Sequence, residues 1–199
     1  MGKIKSHRVS PSLDMTPMVD LAFLLVTFFM LTATAVTKEP IAVDAPSATT
    51  EIKIPSVNII TITVSKEGAV FFNVDGKYTR QTLIQKMGEK YGVEFTQQQI
   101  QTFSVLPSIG LPIGNLPQYL DLPSEERDLV KQPGVPSDSL NNQLGDWIVL
   151  ARTSSQKALY VAIKGDKDAS YPAVKKVIKT LIDKKVLRFN LITNLEKPA

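Results

Sequence analysis

The feature that most constrains this chain is a nearly uninterrupted apolar run close to its N-terminus, residues 17–36. The run contains one charged residue, Asp20, and three threonines. Twenty helical residues at about 1.5 Å each extend about 30 Å, the thickness of a bilayer's hydrocarbon core. A cleaved signal peptide has a shorter apolar region, although the letters ATAV at 33–36 imitate a cleavage site. We therefore predict an uncleaved transmembrane helix over residues 15–37.

Flanking charges predict the orientation of this helix. Lys3, Lys5 and Arg8 precede the run, whereas the nearly balanced pair Lys38 and Glu39 follows it. Positively charged flanks tend to stay in the cytoplasm. Residues 1–14 are therefore predicted to be a cytoplasmic tail, and the chain after residue 38 is predicted to lie across the membrane.

Composition excludes several classes of function. The net charge of +4 comes from lysines spread along the chain, without an Arg-rich surface motif studded with aromatic residues, so we expect no nucleic-acid partner. The chain has no cysteine, which excludes thiol nucleophiles, disulfides and zinc sites with Cys ligands. This absence suits an oxidising compartment such as the periplasm.

A linker and then a strand, strand, helix unit follow the apolar run. Residues 38–56 contain three prolines and many small residues, which predicts a flexible connection. Residues 57–65 and 69–78 are β-branched or partly alternating, which predicts two strands. Leucine, methionine and tyrosine at helical spacing predict a helix over 79–92, capped by Thr79 at its start and stopped by its final glycine.

The C-terminal part of the chain also combines strands with a helix. Residues 157–165 predict a strand, residues 170–185 a helix, and residues 186–193 another strand. Ser170 is a suitable cap for that helix, and Pro172 falls in its first turn. A strand, helix, strand order predicts a parallel right-handed crossover.

These elements predict a small α/β domain, of the two-layer α+β kind, over residues 57–199, interrupted by an insert at about 92–156. Prolines divide the insert into short pieces, but leucines, Trp147 and Ile148 recur at helical spacing within 138–152. The insert is too apolar for a disordered linker. We expect it to be largely helical and to pack onto the domain.

Polar residues of the apolar run share one side of the predicted helix. Steps of four and seven residues return nearly to the same face, which aligns Thr16, Asp20, Thr27 and Thr34. One interpretation is that this stripe binds neighbouring helices through hydrogen bonds. The other is a proton or ion site, because carboxylates inside membranes usually serve function. The residues alone leave the two interpretations equally open, and both are compatible with each other.

The stretch DMTPMVDLAFLLVTFFML, residues 14–31, closely resembles the membrane segment of the ExbD/TolR family of biopolymer transport proteins. In that family a Thr-Pro pair is followed by one or two hydrophobic residues and the functional Asp, here Thr16, Pro17 and Asp20. The resemblance covers about residues 12–91 and 157–196. The insert departs from the compact family members and is similar to that of longer, Bacteroidetes-type relatives.

The resemblance implies a subunit of an inner-membrane, proton-driven motor and not an enzyme. Its implied location is the cell inner membrane, with a single span among the lipids and the C-terminal domain in the periplasm. The implied partners are an ExbB-like ring of membrane subunits, a TonB-like protein and a second copy of the chain in a homodimer. Asp20 is the implied proton carrier, with Thr16, Thr27 and Thr34 as its supporting polar face and Pro17 shaping the helix start. The coupling ion is the proton, and we expect no cofactor and no metal.

Other functions remain open at this point. The same resemblance fits TolR-like envelope maintenance or a gliding-type motor. A membrane-anchored periplasmic module that binds peptidoglycan or protein would use Asp20 only for packing. A hydrolase on a signal anchor is a weaker alternative, because the chain lacks a catalytic constellation.

Three other candidate residues or segments have ordinary structural interpretations. His7 lies in a basic tail, and the letters KGDKD at 164–168 predict a turn and not a calcium loop. Trp147 fits the core or an interface.

Overall fold

The structure is a computed structural model. It describes the following residues: 15–33, 41, 43–48, 55, 57–138, 141–192 and 194–195. The chain divides into two units, residues 1–37 and residues 38–199. The predicted cytoplasmic tail, residues 1–14, lies outside the described residues.

The described part of the first unit is one helix, α1, Thr16–Thr32. Pro17 lies in its first turn, where the missing backbone N–H costs no helical hydrogen bond. The side chains of residues 15–33 are all exposed. In the described part of the chain, no helix is both long enough and apolar enough to cross a membrane. The transmembrane helix over residues 15–37 therefore stays a prediction.

The second unit is a mixed α/β domain. Its strands are β1 Ser47–Ala48, β2 Ile59–Val64, β3 Val70–Val74, β4 Tyr160–Gly165, β5 Asn190–Ile192 and β6 Asn194–Leu195. Its helices are α2 Lys77–Tyr91, α3 Gln97–Val105, α4 Leu116–Asp121, α5 Ser124–Leu129, α6 Gln143–Ser154 and α7 Tyr171–Asp183, with a 3-10 turn at Ile113–Asn115. The predicted combination of a small sheet with a largely helical insert is confirmed for this unit.

Four strands form the main sheet in the order β3-β2-β4-β5. β2 runs antiparallel to β3 and parallel to β4, and β4 runs parallel to β5, as the predicted crossover through α7 requires. Ile62 lies opposite Phe72 on one neighbouring strand and Ile163 on the other. Because side chains alternate along strands, these residues share one face. The same face carries Ile60, Val64, Val70, Val74 and Val161.

Helices α2, α6 and α7 cover that face and complete the core. The buried residues they contribute include Leu83, Ile84 and Met87 from α2, Trp147 and Ile148 from α6, and Val177 and Leu181 from α7. Trp147 is fully buried, with its ring centroid 5.7 Å from that of Phe72 and 5.8 Å from that of Phe103. It is therefore a core residue that joins the insert to the sheet.

The ends of α2 and α7 agree with most of the predicted caps. Gly92 ends α2 in the left-handed conformation, with φ of 65°. Ser170 occupies the N-cap position of α7 but its side chain makes no capping hydrogen bond, and Pro172 lies in the first turn. The prediction of Thr79 as the cap of α2 is wrong, because the helix begins at Lys77 after Gly76. Gly76 has φ of 99°, a conformation that glycine adopts readily, and it caps the helix three residues before the predicted position.

Part of the predicted flexible linker, residues 38–56, lies against the domain. Strand β1 pairs in parallel with β6. The Lys167 backbone N–H donates to the Asp44 carbonyl oxygen at 2.8 Å, and Ala45 is buried. Residues 43–48 are thus held by backbone hydrogen bonds, which the prolines and small residues of this segment gave no reason to expect.

The insert also protects an edge of the sheet. The backbone of Phe72 exchanges hydrogen bonds with Ile109 at 2.8 and 2.9 Å, and the Val135 N–H donates to the Val70 carbonyl at 2.7 Å. Unpaired edge strands invite association with other chains. Two segments of the insert therefore occupy the side of β3 that faces away from β2.

Candidate functional site

The polar residues predicted in the first unit share one side of α1. With 3.6 residues per turn, Thr16, Asp20 and Thr27 fall within an arc of about 40°. Asp20 and Thr27 are separated by about 10 Å along the axis, so they are too far apart for a direct bond within one helix. Thr34 lies outside the described residues, and its place on this face stays a prediction.

The threonine hydroxyls of α1 bond to their own helix. Thr27 Oγ1 donates to the carbonyl oxygens of Phe23 and Leu24, both at 2.9 Å. Thr32 Oγ1 donates in the same way to Phe28 at 2.8 Å. Such back-bonding satisfies the hydroxyl proton and leaves the oxygen lone pairs to accept. Thr27 can therefore offer an acceptor to a neighbouring group on the Asp20 side, whereas Thr32 lies about 120° around the helix.

Asp20 is the one ionisable side chain in residues 15–33. Apolar side chains surround it on the helix and are largely exposed, with Leu21 at 68%, Phe23 at 67% and Leu31 at 87%. A helix that is apolar over most of its surface is normally buried in a large protein or in lipid. Such an exposed surface marks a site of interaction with protein or membrane.

A second cluster of charged groups lies in the second unit, around Asp146 of α6. Its carboxylate is 2.6 Å from Lys90 Nζ and 3.6 Å from Lys184 Nζ, and it accepts a hydrogen bond from the Tyr91 hydroxyl at 2.8 Å. The Asp146 side chain is 16% exposed. The cluster thus joins α6 of the insert to α2, which carries Lys90 and Tyr91, and to the end of α7.

The pKa values in this cluster follow from burial and from these partners. Burial acts to raise the pKa of Asp146, but the hydrogen bonds from Lys90 and Tyr91 and the charges of Lys90 and Lys184 together hold it below its usual range. Burial, followed by the hydrogen bond to Asp146, raises the pKa of Tyr91. At neutral pH the cluster is therefore a carboxylate held by two cations and a protonated phenol.

Neighbouring residues make room for this cluster and orient it. A Cβ at Gly145 would lie 2.5 Å from Lys184 Cε, so the glycine lets the lysine stem cross α6. Asn142 caps α6 by accepting from the Gly145 N–H at 2.9 Å, and its amide donates to Thr180 Oγ1 of α7 at 3.1 Å. Sequence reasoning missed this cluster because its members are distant along the chain. Except for the adjacent pair Lys90 and Tyr91, they are separated by 38 or more positions. The glycine next to an acidic residue in an otherwise regular helix was the available local signal.

No group of three or more potential metal ligands of the His, Cys, Asp and Glu types converges among the described residues. The 164–168 segment contains the last two residues of β4 and then the predicted turn toward α7, in which the Asp168 N–H donates to Asp166 Oδ1 at 2.9 Å. His7 lies outside the described residues.

Comparison with known proteins places the chain in a class of transport protein. It matches the family described as biopolymer transport protein ExbD/TolR over residues 6–196, which is nearly the whole chain and includes the insert. The chain belongs to the ExbD/TolR family. No curated protein and no solved structure matches it.

Membership confirms the resemblance carried by the Thr-Pro-Met-Val-Asp stretch. Members of this family work with ExbB- or TolQ-type and TonB- or TolA-type partners. They are membrane-anchored transport or motor subunits with a periplasmic domain, and they are not known as enzymes.

Proposed function

We propose that this chain is the ExbD-like subunit of an inner-membrane motor that couples the proton-motive force to TonB-dependent transport across the outer membrane. The observation that carries the proposal is the single carboxylate of Asp20 on an exposed and largely apolar helix. In a ring of ExbB-like subunits, this surface would contact apolar walls and the carboxylate would face a polar path.

Protonation of Asp20 supplies the switch in this mechanism. A charged carboxylate is costly against lipid-like surroundings, whereas the protonated acid is tolerated there. One elementary charge crossing 100 mV releases about 2.3 kcal/mol. Alternate protonation and deprotonation would therefore bias α1 between two orientations, each favoured by one charge state.

The other polar residues of the face assist Asp20 in this proposal. Thr27 keeps its hydroxyl proton on the backbone of its own helix, so its oxygen is an acceptor for a donor on a partner subunit. Thr16 extends the face toward the helix start, where Pro17 fixes the first turn. The second copy of a homodimer and the ring subunits are the proposed sources of the opposing groups.

The described residues of the linker give the motion a route into the periplasmic domain. Residues 43–48 are held against it through β1 and through the Lys167 to Asp44 hydrogen bond. A displacement of α1 transmitted along the linker would act first on β6 and on the turn that precedes α7. The TonB-like partner would respond to that change.

The deciding experiment replaces Asp20 with Asn and measures growth on a scarce nutrient taken up by a TonB-dependent transporter. Asn has nearly the same size but cannot release a proton, so we expect growth to fail while protein level and membrane insertion stay normal. Asp20→Glu keeps the carboxyl group and should retain partial growth. Normal growth of the Asn variant would show that Asp20 serves packing alone.

A matched pair of threonine variants tests the polar face. Thr27 and Thr32 bond to their own backbone in the same way but lie on different sides of α1. We expect Thr27→Val to reduce uptake and Thr32→Val to leave it unchanged. Equal effects of the two would contradict a specific role for the Asp20 face. If detergent sensitivity and not nutrient uptake responds to these variants, the motor serves TolR-like envelope maintenance.

A further inference from the structure

A cavity within the insert is lined by aliphatic and polar side chains, among them an arginine with two side-chain nitrogens that have no hydrogen-bond partner among the described residues. The cavity has a volume of about 470 Å³. Its lining comes from the segment after α3, from α4 and α5, and from the segment after α5. Sites for small molecules fall in this range of size and are mostly apolar with a few placed polar groups.

Arg127 of α5 is the polar group that defines this cavity. Its Nε and Nη1 atoms are inaccessible to solvent and have no hydrogen-bond partner among the residues that the structure describes. Desolvating a guanidinium nitrogen without an acceptor costs free energy. The fork of an arginine matches the two oxygens of a carboxylate, which can accept two parallel hydrogen bonds. Nε and Nη1 lie on different edges of the guanidinium and are closed to solvent, so an arriving carboxylate would pair with the part of Arg127 that lines the cavity.

The wall beside Arg127 is fixed by a buried amide. Gln132 Oε1 accepts from the Gly110 N–H at 2.6 Å, and Gln132 Nε2 donates to the Tyr119 hydroxyl oxygen at 3.0 Å. Because that oxygen accepts from Gln132, the hydroxyl proton of Tyr119 is free to point toward a ligand. Burial raises the pKa of Tyr119, so this proton is retained at neutral pH.

Part of the remaining lining is suited to an apolar body. Leu106, Val130 and Leu129 contribute aliphatic surface, and Leu129 is 85% exposed at the rim. Asp128 also lines the cavity, so a ligand with two negative charges would meet repulsion there. The lining therefore favours a single carboxylate joined to an apolar group.

We propose that this cavity binds a small carboxylate with an apolar body, held by Arg127 and the Tyr119 hydroxyl. The site lies in the second unit and uses none of the α1 residues, so it is independent of the proposed motor function.

Titration calorimetry of the full chain in nanodiscs tests the proposal, with phenylpropionate as the probe and phenylpropanol as its uncharged counterpart. We expect the acid to bind about tenfold more tightly than the alcohol, which is the discrimination that one satisfied charged hydrogen bond supports. Equal binding of the two, or no binding of the acid at millimolar concentration, would overturn the proposal.

Two pairs of variants localise the binding. Arg127→Gln should weaken binding of phenylpropionate about tenfold, whereas Arg152→Gln, at an exposed position on α6, should not. Leu129→Asp adds a charge at the rim and should weaken binding severalfold. Leu187→Asp, at a comparably exposed leucine of 73%, should leave it unchanged.

Folding of every variant is checked by the emission of Trp147, which lies in the core. If Arg127→Gln unfolds, the comparison of Leu129→Asp with Leu187→Asp still tests the site, because both leucines are exposed and their substitution should not unfold the chain. Unchanged binding in a folded Arg127→Gln or Leu129→Asp variant would refute the site. Binding of a peptide ending in Phe without binding of phenylpropionate would assign the cavity to a protein partner and also overturn the proposal.

Discussion

Replacing Asp146 with Asn would test whether the insert is an integral part of the domain. Its carboxylate accepts from the half-buried Tyr91 and pairs with Lys90 and Lys184. A hydrogen bond to a charged group contributes about 1.5–3 kcal/mol, but the Lys90 side chain is 47% exposed, so that pair is discounted to about 0.5 kcal/mol. We expect Asp146→Asn to lower the free energy of unfolding by about 2 kcal/mol.

The assay is urea unfolding of the full chain in detergent, followed by the emission of its one tryptophan, Trp147. With a slope of about 2 kcal/mol per molar urea, the midpoint should fall by about 1 M at pH 7. The pKa of Asp146 is lowered in the folded state, so its stabilisation is present above the unfolded value and lost as pH falls through the folded one. The difference between wild type and variant should therefore shrink below about pH 4.

Asp183→Asn is the matched control, because Asp183 is exposed near the end of α7. It should change the free energy of unfolding by less than about 0.5 kcal/mol. A shift for Asp146→Asn no larger than that of the control would refute the reasoning. A difference that persists undiminished at pH 2 would refute the electrostatic origin of the stabilisation.

Five further substitutions, at four positions, test the core and the segments that hold the insert. Trp147→Ala should lower the free energy of unfolding by about 3–5 kcal/mol. Trp147→Phe should lower it by only about 1 kcal/mol, because this change also removes a buried indole N–H that has no partner among the described residues. Thermal unfolding followed by circular dichroism measures both. Arg80→Lys should lower the free energy of unfolding in urea by about 2 kcal/mol, because the Arg80 guanidinium donates to the Val74 and Leu106 carbonyls and one ammonium cannot span both. An unchanged urea midpoint would contradict this. Gly134→Ala should lower the free energy of unfolding by about 1–3 kcal/mol, since φ is 105° and a Cβ would lie 2.8 Å from the Val70 nitrogen. Gly114→Ala is the control: a Cβ there meets nothing within 4 Å, so the change should be less than about 0.5 kcal/mol.

Local patterns predicted most of the regular elements. The strands of the sheet, α2 and α7 each have a continuous period of apolar residues, and α2 ends at the predicted Gly92. Such patterns report which side of an element is buried, so they survive without knowledge of the partner. The missed start of α2 depended on the backbone of Gly76, which no periodicity records.

The insert was predicted less well because its helices are short and interrupted by prolines. Only the helix that carries Trp147 was identified, as α6, whereas α3, α4 and α5 were expected only as short pieces. α3 is polar in composition, and its start is fixed by a reciprocal cap between Thr96 and Gln99. Its buried face becomes apparent only when Phe103 meets Trp147.

The sequence by itself determined the family, the apolar helix with its single aspartate, and the alternating strands, because each depends on residues close together along the chain. Only the tertiary structure decided that residues 43–48 are held against the domain and that Asp146 joins three helices. It also decided that Arg127 lines a cavity and has two buried side-chain nitrogens without a partner among the described residues. The physical reason is distance along the chain. Burial, pairing and missing hydrogen bonds depend on contacts between segments that a local pattern cannot specify.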